Sequence, residues 1–253
     1  FTIDYDYLYY NRVKIQRPTG SLQERTFASV NGINKAVSIV TTCNGCATKT
    51  ESFTFDTNGN LDQYTNAAGI ITDYDFDQNA REVRRIEAAN DSLGAKRTVL
   101  TTWDALHPLP SEMRILDSTG TLKTTRNWTY NLRGQVTSEK VTDSSSANAR
   151  TVATTYCEQA DVDASACPIV GLVKSMDGAR TDVPDVVAYT YRMADEANCS
   201  AAPTTCLYRK GDLWKVTNTY GHVSEILESS ASVENWTGDL RINFFGAMKV
   251  SSN

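Results

Sequence analysis

Two stretches decide how this chain reads: Gly59-Asn60-Leu61-Asp62-Gln63-Tyr64-Thr65-Asn66-Ala67-Ala68-Gly69, and Gly211-Asp212-Leu213-Trp214-Lys215-Val216-Thr217-Asn218-Thr219-Tyr220-Gly221. Both fit Gly-x-Leu-x-x-x-Thr-Asn-x-x-Gly without a gap, and they start 152 residues apart. Chance rarely matches five specified positions at identical spacing, so the chain is built from a repeat. A repeat unit cannot bury its apolar face alone and depends on neighbours of its own kind.

The flanks of the first copy define the unit. Phe53-Thr54-Phe55-Asp56-Thr57-Asn58 precedes it, and Phe55-Asp56-x-Asn58 returns as Phe76-Asp77-x-Asn79, 21 residues later. Weaker copies are Trp128-Thr129-Tyr130-Asn131-Leu132-Arg133-Gly134, Asp117-Ser118-Thr119-Gly120 and Arg17-Pro18-Thr19-Gly20. Trp103-Asp104 begins a unit that loses its Gly in His107-Pro108-Leu109-Pro110. Tyr189-Thr190-Tyr191 begins one that is interrupted before Gly211.

Each unit reads as a β-hairpin. Tyr74 and Phe76 alternate with Asp73, Asp75 and Asp77, the two-residue period of a strand with rings on one face and carboxylates on the other. Asp56-Thr57-Asn58-Gly59 is a turn: Asp and Asn bond their own nearby backbone, and Gly reaches positive φ at no steric cost. The expected fold is all-β, a curved antiparallel sheet of successive hairpins turning near Asn58-Gly59, Arg133-Gly134 and Lys210-Gly211. Residues 80–89 are the best stretch for a helix, and they also fit a strand with a charged edge.

Composition narrows the function classes. The chain has 253 residues, 40% hydrophobic and 22% charged, with net charge −5. The acidic balance argues against nucleic acid as the main partner, and the densest basic stretch, Arg81 to Arg85, is broken by Glu82. No apolar run reaches the ~18 residues of a membrane-spanning helix. The chain opens at Phe1 inside an aromatic pattern, Tyr5, Tyr7, Tyr9 and Tyr10, without an initiator Met or signal peptide. The repeat pattern stops after Leu227. The expected organisation is a repeat region over 1–227, with Cys-containing insertions at 157–167 and 199–206, and a divergent tail over 228–253.

The six cysteines form three local pairs, Cys43 with Cys46, Cys157 with Cys167, and Cys199 with Cys206. Such pairs point to disulfides closing short loops in an oxidising compartment. Reduced structural thiols and zinc are the alternatives. No second Cys-x-x-Cys follows at zinc-ribbon spacing and neither histidine lies near a cysteine, so no metal is predicted.

Little else carries chemistry. The two histidines are His107, in a turn-like stretch, and His222, at a repeat position where Ile70 and Thr121 sit in other copies. Nucleophile-elbow, phosphate-loop and zinc-protease motifs are missing. Asp73-x-Asp75-x-Asp77 resembles the start of a calcium loop, but Gln78 stands where the loop needs Gly and Arg84 where it needs Glu. It reads as a solvated or inter-strand polar face. Neither an enzyme nor a cofactor is expected. Asn127, Asn198 and Asn235 head short glycosylation sequons, a common motif.

The recurring aromatic-Asp-x-x-Gly-x-Leu resembles the YD repeat of the RHS (rearrangement hot spot) family. The resemblance is carried by Phe55, Asp56, Gly59, Leu61, Thr65, Asn66, Gly69, Tyr74 and Asp75, more weakly by Tyr130 and Gly134, and again by Gly211, Leu213, Thr217, Asn218 and Gly221. Thr155-Tyr156-Cys157-Glu158-Gln159-Ala160 and Tyr208-Arg209-Lys210 look like proteobacterial members. The resemblance implies a large exported bacterial protein, secreted or at the cell surface, whose repeats spiral into a hollow shell around a variable C-terminal toxin. It implies a piece of shell wall whose partners are further repeats and the enclosed toxin, and it assigns no catalytic residue. The family's self-cleaving aspartyl-protease-like region has no counterpart here. The alternative is a carbohydrate or cell-surface binding module that uses exposed aromatics such as Tyr5, Tyr7 and Tyr9.

Overall fold

The Gly-x-Leu-x-x-x-Thr-Asn-x-x-Gly stretch is one strand with a turn at each end, and this pattern generates the fold. The computed structural model describes residues 2–5, 11–92, 94–145, 148–199 and 206–226. Their strands are β1 (Thr2–Tyr5), β2 (Arg12–Gln16), β3 (Leu22–Val30), β4 (Ile33–Thr42), β5 (Lys49–Phe55), β6 (Leu61–Thr65), β7 (Ile71–Phe76), β8 (Glu82–Glu87) and β9 (Arg97–Trp103). Then come β10 (Pro110–Leu116), β11 (Leu122–Tyr130), β12 (Val136–Asp143), β13 (Ala149–Tyr156), β14 (Val173–Asp177), β15 (Val187–Tyr191), β16 (Leu213–Asn218) and β17 (Val223–Glu225). The helix among the described residues, α1 (Gln159–Asp163), has five residues, and none is long and apolar enough to cross a membrane. The expected tail over 228–253 lies outside the described residues, as do the side chains of Tyr5, Tyr7, Tyr9 and Tyr10.

The chain divides into two units. The first ends at Arg126 and takes back a short stretch from Thr142; the second holds Asn127–Val141 and the described residues from Asn148 on. In the first unit each strand from β1 to β10 pairs antiparallel with the next. In the second, β13 to β17 do the same. The expected all-β succession of antiparallel hairpins holds. Residues 80–89 contribute β8 and no helix; Arg84 and Arg85 face Asp75 and Tyr74 across the ladder.

The two faces differ as the period-two pattern requires. Phe53 lies opposite Tyr64 and stacks on it with ring centroids 5.1 Å apart, and the Tyr74 and Phe76 rings lie 6.4 Å apart. The other face is polar. Gln63 donates to Asp73 at 3.1 Å, and Arg84 reaches both Asp73, at 3.5 Å, and Asp75. The alternating acids are therefore held by a cation from the next strand, the inter-strand polar face read from the sequence. Arg81 pairs with Asp77, and Arg85 with Glu82 and Glu87, so the densest basic stretch is matched by carboxylates.

A buried core is nearly absent. The buried apolar side chains among the described residues are Val99, Cys157, Cys167, Pro168 and Cys199. Stability therefore comes from the ladders and from cross-strand pairs worth ~0.2–1 kcal/mol each, without a second packed layer of the kind most domains use.

A ladder of aromatic residues and turns as the candidate functional site

Seven turns share one five-residue geometry: Arg17–Ser21, Asp56–Asn60, Asn66–Ile70, Asp77–Arg81, Asp117–Thr121, Asn131–Gln135 and Asn218–His222. In each, the first N–H donates to the fifth carbonyl and the fourth N–H to the first carbonyl. In six of them, one side-chain oxygen of the leading Asp or Asn accepts the N–H groups of the third and fifth residues. For Asp56 these bonds are 2.9 and 2.7 Å long, and for Asn218 both are 3.0 Å. The fourth residue takes positive φ, 87° at Gly59, which glycine supplies without strain. The same turn places Ala80 at φ 58°. This is the three-residue hairpin loop that ends in a left-handed residue and a bulge.

The repeat motif follows directly. Gly59 and Gly211 close one turn. Leu61 and Leu213 then sit opposite the aromatic that entered that turn, Phe55 and Tyr191. Asn66 and Asn218 open the next turn, which Gly69 and Gly221 close. Tyr130 and Gly134 bracket the Asn131 turn in the same way. Phe76-Asp77 enters a turn as Phe55-Asp56 does, while Tyr74-Asp75 lies two residues earlier, within β7.

Turns alternate between two edges. On one edge an aromatic precedes most turns: Phe55, Phe76 and Trp103 in the first unit, and Tyr130, Tyr156 and Tyr191 in the second, while Val30 precedes the turn at Asn31. Polar tips on this edge donate to the preceding strand. Trp103 Nε1 donates to the Glu82 carbonyl at 2.9 Å, Tyr156 Oη to the Val136 carbonyl at 2.8 Å, and Tyr191 Oη to the Val173 carbonyl at 2.6 Å. Each acceptor is the second residue after the left-handed position of the previous turn on that edge. Burial pushes the Tyr156 and Tyr191 hydroxyl pKa values up, so both remain donors.

Turns on the aromatic edge also lean on one another. Asn31 Nδ2 donates to the Thr57 carbonyl at 3.0 Å, and Lys35 reaches the Gly59 carbonyl. Gln135 Nε2 donates to the Gly171 carbonyl at 2.8 Å, and Arg133 forms a two-pronged pair with Glu158 at 2.7 Å. A Cβ on Gly211 would stand 2.7 Å from Ile169 Cδ1. On the opposite edge a Cβ on Gly20, Gly45, Gly69, Gly120 or Gly221 would meet nothing within 4 Å. Turns on that edge still touch their neighbours: Asn90 Nδ2 donates to the Gly69 carbonyl at 2.8 Å, and Thr219 Oγ1 to the Val186 carbonyl at 2.9 Å.

The segments bearing Cys157–Cys167 and Cys199–Cys206 are expansions of aromatic-edge turns. Cys157 N–H donates to the Leu172 carbonyl and Gly171 N–H to the Cys157 carbonyl, both at 2.8 Å. Arg192 N–H donates to the Asp212 carbonyl at 2.8 Å and Gly211 N–H to the Arg192 carbonyl at 2.9 Å. Cys157 and Arg192 thus hold the place that Asp56 holds in the short turn, and the intervening residues are inserted. The insertions are wider than the cysteine spacings. The pairs Cys43–Cys46, Cys157–Cys167 and Cys199–Cys206 are disulfides with Cα separations of 5.4, 5.9 and 4.5 Å. In the second expansion the Arg192 guanidinium lies between the Tyr208 and Trp214 rings, 4.2 and 4.8 Å from their centroids. Arg192 carries no sequence signal of its own; the aromatic before it, aligned with Phe55-Asp56, is the clue.

Electrostatics follow the same turns. The Asn60 amide holds the Asp56 carboxyl below its ordinary 3.8, and Arg81 does so for Asp77. Lys123 and the Thr119 hydroxyl hold Asp117 lower still. His107 Nδ1 lies 2.9 Å from Asp104 Oδ1, which also accepts the N–H groups of Leu106 and His107. That pair belongs to a turn one residue longer than the others. His222 is the fifth residue of the Asn218 turn, as its repeat position implies.

No protein-family model matches the chain, and no curated protein matches its sequence. A crystal structure of TcdB2-TccC3-TEV is similar over 82% of this chain, at 14% identity and TM-score 0.51. A crystal structure of TcdB2-TccC3 covers the same share at 13% identity and TM-score 0.43. A porin-like protein from Bacteroides uniformis matches 85% of this chain and 82% of its own at 10% identity and TM-score 0.34. Of these three, the first alone has a TM-score above 0.5. The chain spans 11% of the length of the two TcdB2-TccC3 chains. At these identities the likeness is one of fold alone, the succession of antiparallel hairpins.

Proposed function

We propose that this chain is a wall segment of an RHS-type β-shell, with no chemistry of its own, in a protein that is secreted or displayed at a bacterial cell surface. The observation that carries the reading is the ladder of aromatic tips. The Tyr156 and Tyr191 hydroxyls and the Trp103 indole each tie one turn to the previous one, while almost nothing is buried beneath the strands. Such a sheet is a surface to be extended and closed by further repeats, its natural partners. The likeness to a stretch of TcdB2-TccC3 supports the same reading. The side-chain contacts described here are spent on holding turns and strands, which fits a scaffold. In the parent the shell encloses a C-terminal toxin. Electron microscopy of the parent, joined to limited proteolysis, tests this. The reading expects a closed shell in which residues 11–226 form wall and the C-terminal domain resists protease. A separate solvent-facing module at these residues, with an unprotected C-terminal domain, would refute it.

A further inference from the structure

The expanded turn between Arg192 and Asp212 gathers a set of donors of metal-ligand type. Glu196, Cys199 and Cys206 bring a carboxylate oxygen and two sulfurs within 4.8 Å of one another. The Tyr208 carbonyl oxygen lies 3.2 Å from Cys199 Sγ and 3.3 Å from Cys206 Sγ. Among the described residues this is the one group of three or more such ligand side chains so closely placed. Contacts other than the S–S bond hold the group in shape. Glu196 N–H donates to the Tyr208 carbonyl at 3.2 Å, Leu207 N–H donates to Glu196 Oε2 at 2.8 Å, and Arg192 clamps the Tyr208 ring. Cys199 is 5% exposed, so an ion there would be largely screened from water.

We propose that in the reduced chain Glu196, Cys199 and Cys206, with the Tyr208 carbonyl at the fourth corner, bind one thiophilic divalent ion of the zinc class. Two sulfurs and two oxygens suit a tetrahedral, borderline-soft ion and do not suit calcium or magnesium, which take oxygen alone. Ion and disulfide exclude each other because they use the same sulfurs. A dithiol reductant passes two electrons and two protons to the Cys199–Cys206 disulfide, giving two thiols and the oxidised reductant. Binding the ion then releases the two thiol protons. The loop is therefore closed in both compartments, by the ion where thiols stay reduced and by the disulfide where they oxidise.

The test uses the full chain with the exposed Cys43 and Cys46 changed to Ser in every arm, and cobalt(II) as the probe. After reduction and removal of the reductant without air, one cobalt should bind with a sulfur-to-cobalt charge-transfer absorption, and the oxidised chain should show none. Glu196→Gln keeps both cysteines and should weaken binding ~10-fold or more, the loss seen even for groups that only support metal ligands. Cys199→Ser should remove the band. A reduced chain without the band, or a band and affinity unchanged in both variants, would overturn the proposal. The second result would place the cobalt on Cys157 and Cys167.

Discussion

The Tyr191 hydroxyl donates to the Val173 carbonyl at 2.6 Å, and Tyr191 also faces Leu213 across the bulge that follows its turn. Tyr191 thus stands between the strand before its own, which its hydroxyl reaches, and the strand after, which it pairs with. Tyr191→Phe removes only the hydroxyl and leaves the Val173 carbonyl without that donor. The expected loss is ~1 kcal/mol. It should appear as a lower urea midpoint at unchanged slope. An unchanged midpoint would show that the ring is there for packing alone.

Ala80 and Gly211 test the left-handed position from opposite sides. Ala80 sits at φ 58° where most copies have glycine. Ala80→Gly should raise stability by ~0.5–1 kcal/mol, the relieved backbone strain less the entropy of a freer unfolded chain. Gly211→Ala adds a Cβ at φ 94°, 2.7 Å from Ile169 Cδ1, and should cost ~1–2 kcal/mol. Urea midpoints moving the other way would refute the turn assignment.

Acid should loosen the Asp turns and spare the Asn turns. The Asp56, Asp77 and Asp117 carboxyls are held below 3.8 in the folded chain, chiefly by Asn60, Arg81 and Lys123. A depressed folded pKa means the unfolded chain binds protons first. The stabilisation is therefore complete above about pH 4 and is lost as pH falls through the folded values. Asp56→Asn, Asp77→Asn and Asp117→Asn together keep a side-chain acceptor that does not titrate. The drop in urea midpoint between neutral and acid pH should be smaller in the triple variant than in the natural chain. An equal drop would locate acid sensitivity elsewhere.

Peptide mapping by mass spectrometry without reductant should find three local bridges, Cys43–Cys46, Cys157–Cys167 and Cys199–Cys206, in chain recovered from an oxidising compartment. Reducing the bridges of the two expansions should cost ~2 kcal/mol each. Free thiols at all six positions in exported protein would contradict the assignment.

The sequence carried much of this fold on its surface. Alternating rings and acids at 73–77 became β7, and the Asx-x-x-Gly runs became turns. The targets of Trp103, Tyr156 and Tyr191 were not legible, because each acceptor is a backbone carbonyl 18 to 21 residues back and so leaves no residue-type signature. The expanded turns were seen as cysteine insertions but not as copies of the Asp56 turn. At Cys157 and Arg192 the Asx that marks the turn is gone, and only the aromatic before it and the Gly after it survive. The second Gly of the motif was legible as a turn, yet which turns meet a neighbour was not. Whether a turn is covered depends on the neighbouring hairpin's side chains, as Ile169 covers Gly211.

The central claim is that these hairpins are wall and need neighbours, because among the described residues Val99, Pro168 and three cysteines are the buried apolar side chains. Sedimentation velocity of the isolated chain across a wide concentration range, repeated with further repeat units added at either end, tests it most directly. The account predicts association that grows with concentration through open strand edges and uncovered faces, and that weakens as repeats are added. A monomer at high concentration that unfolds in one sharp, reversible transition would contradict it.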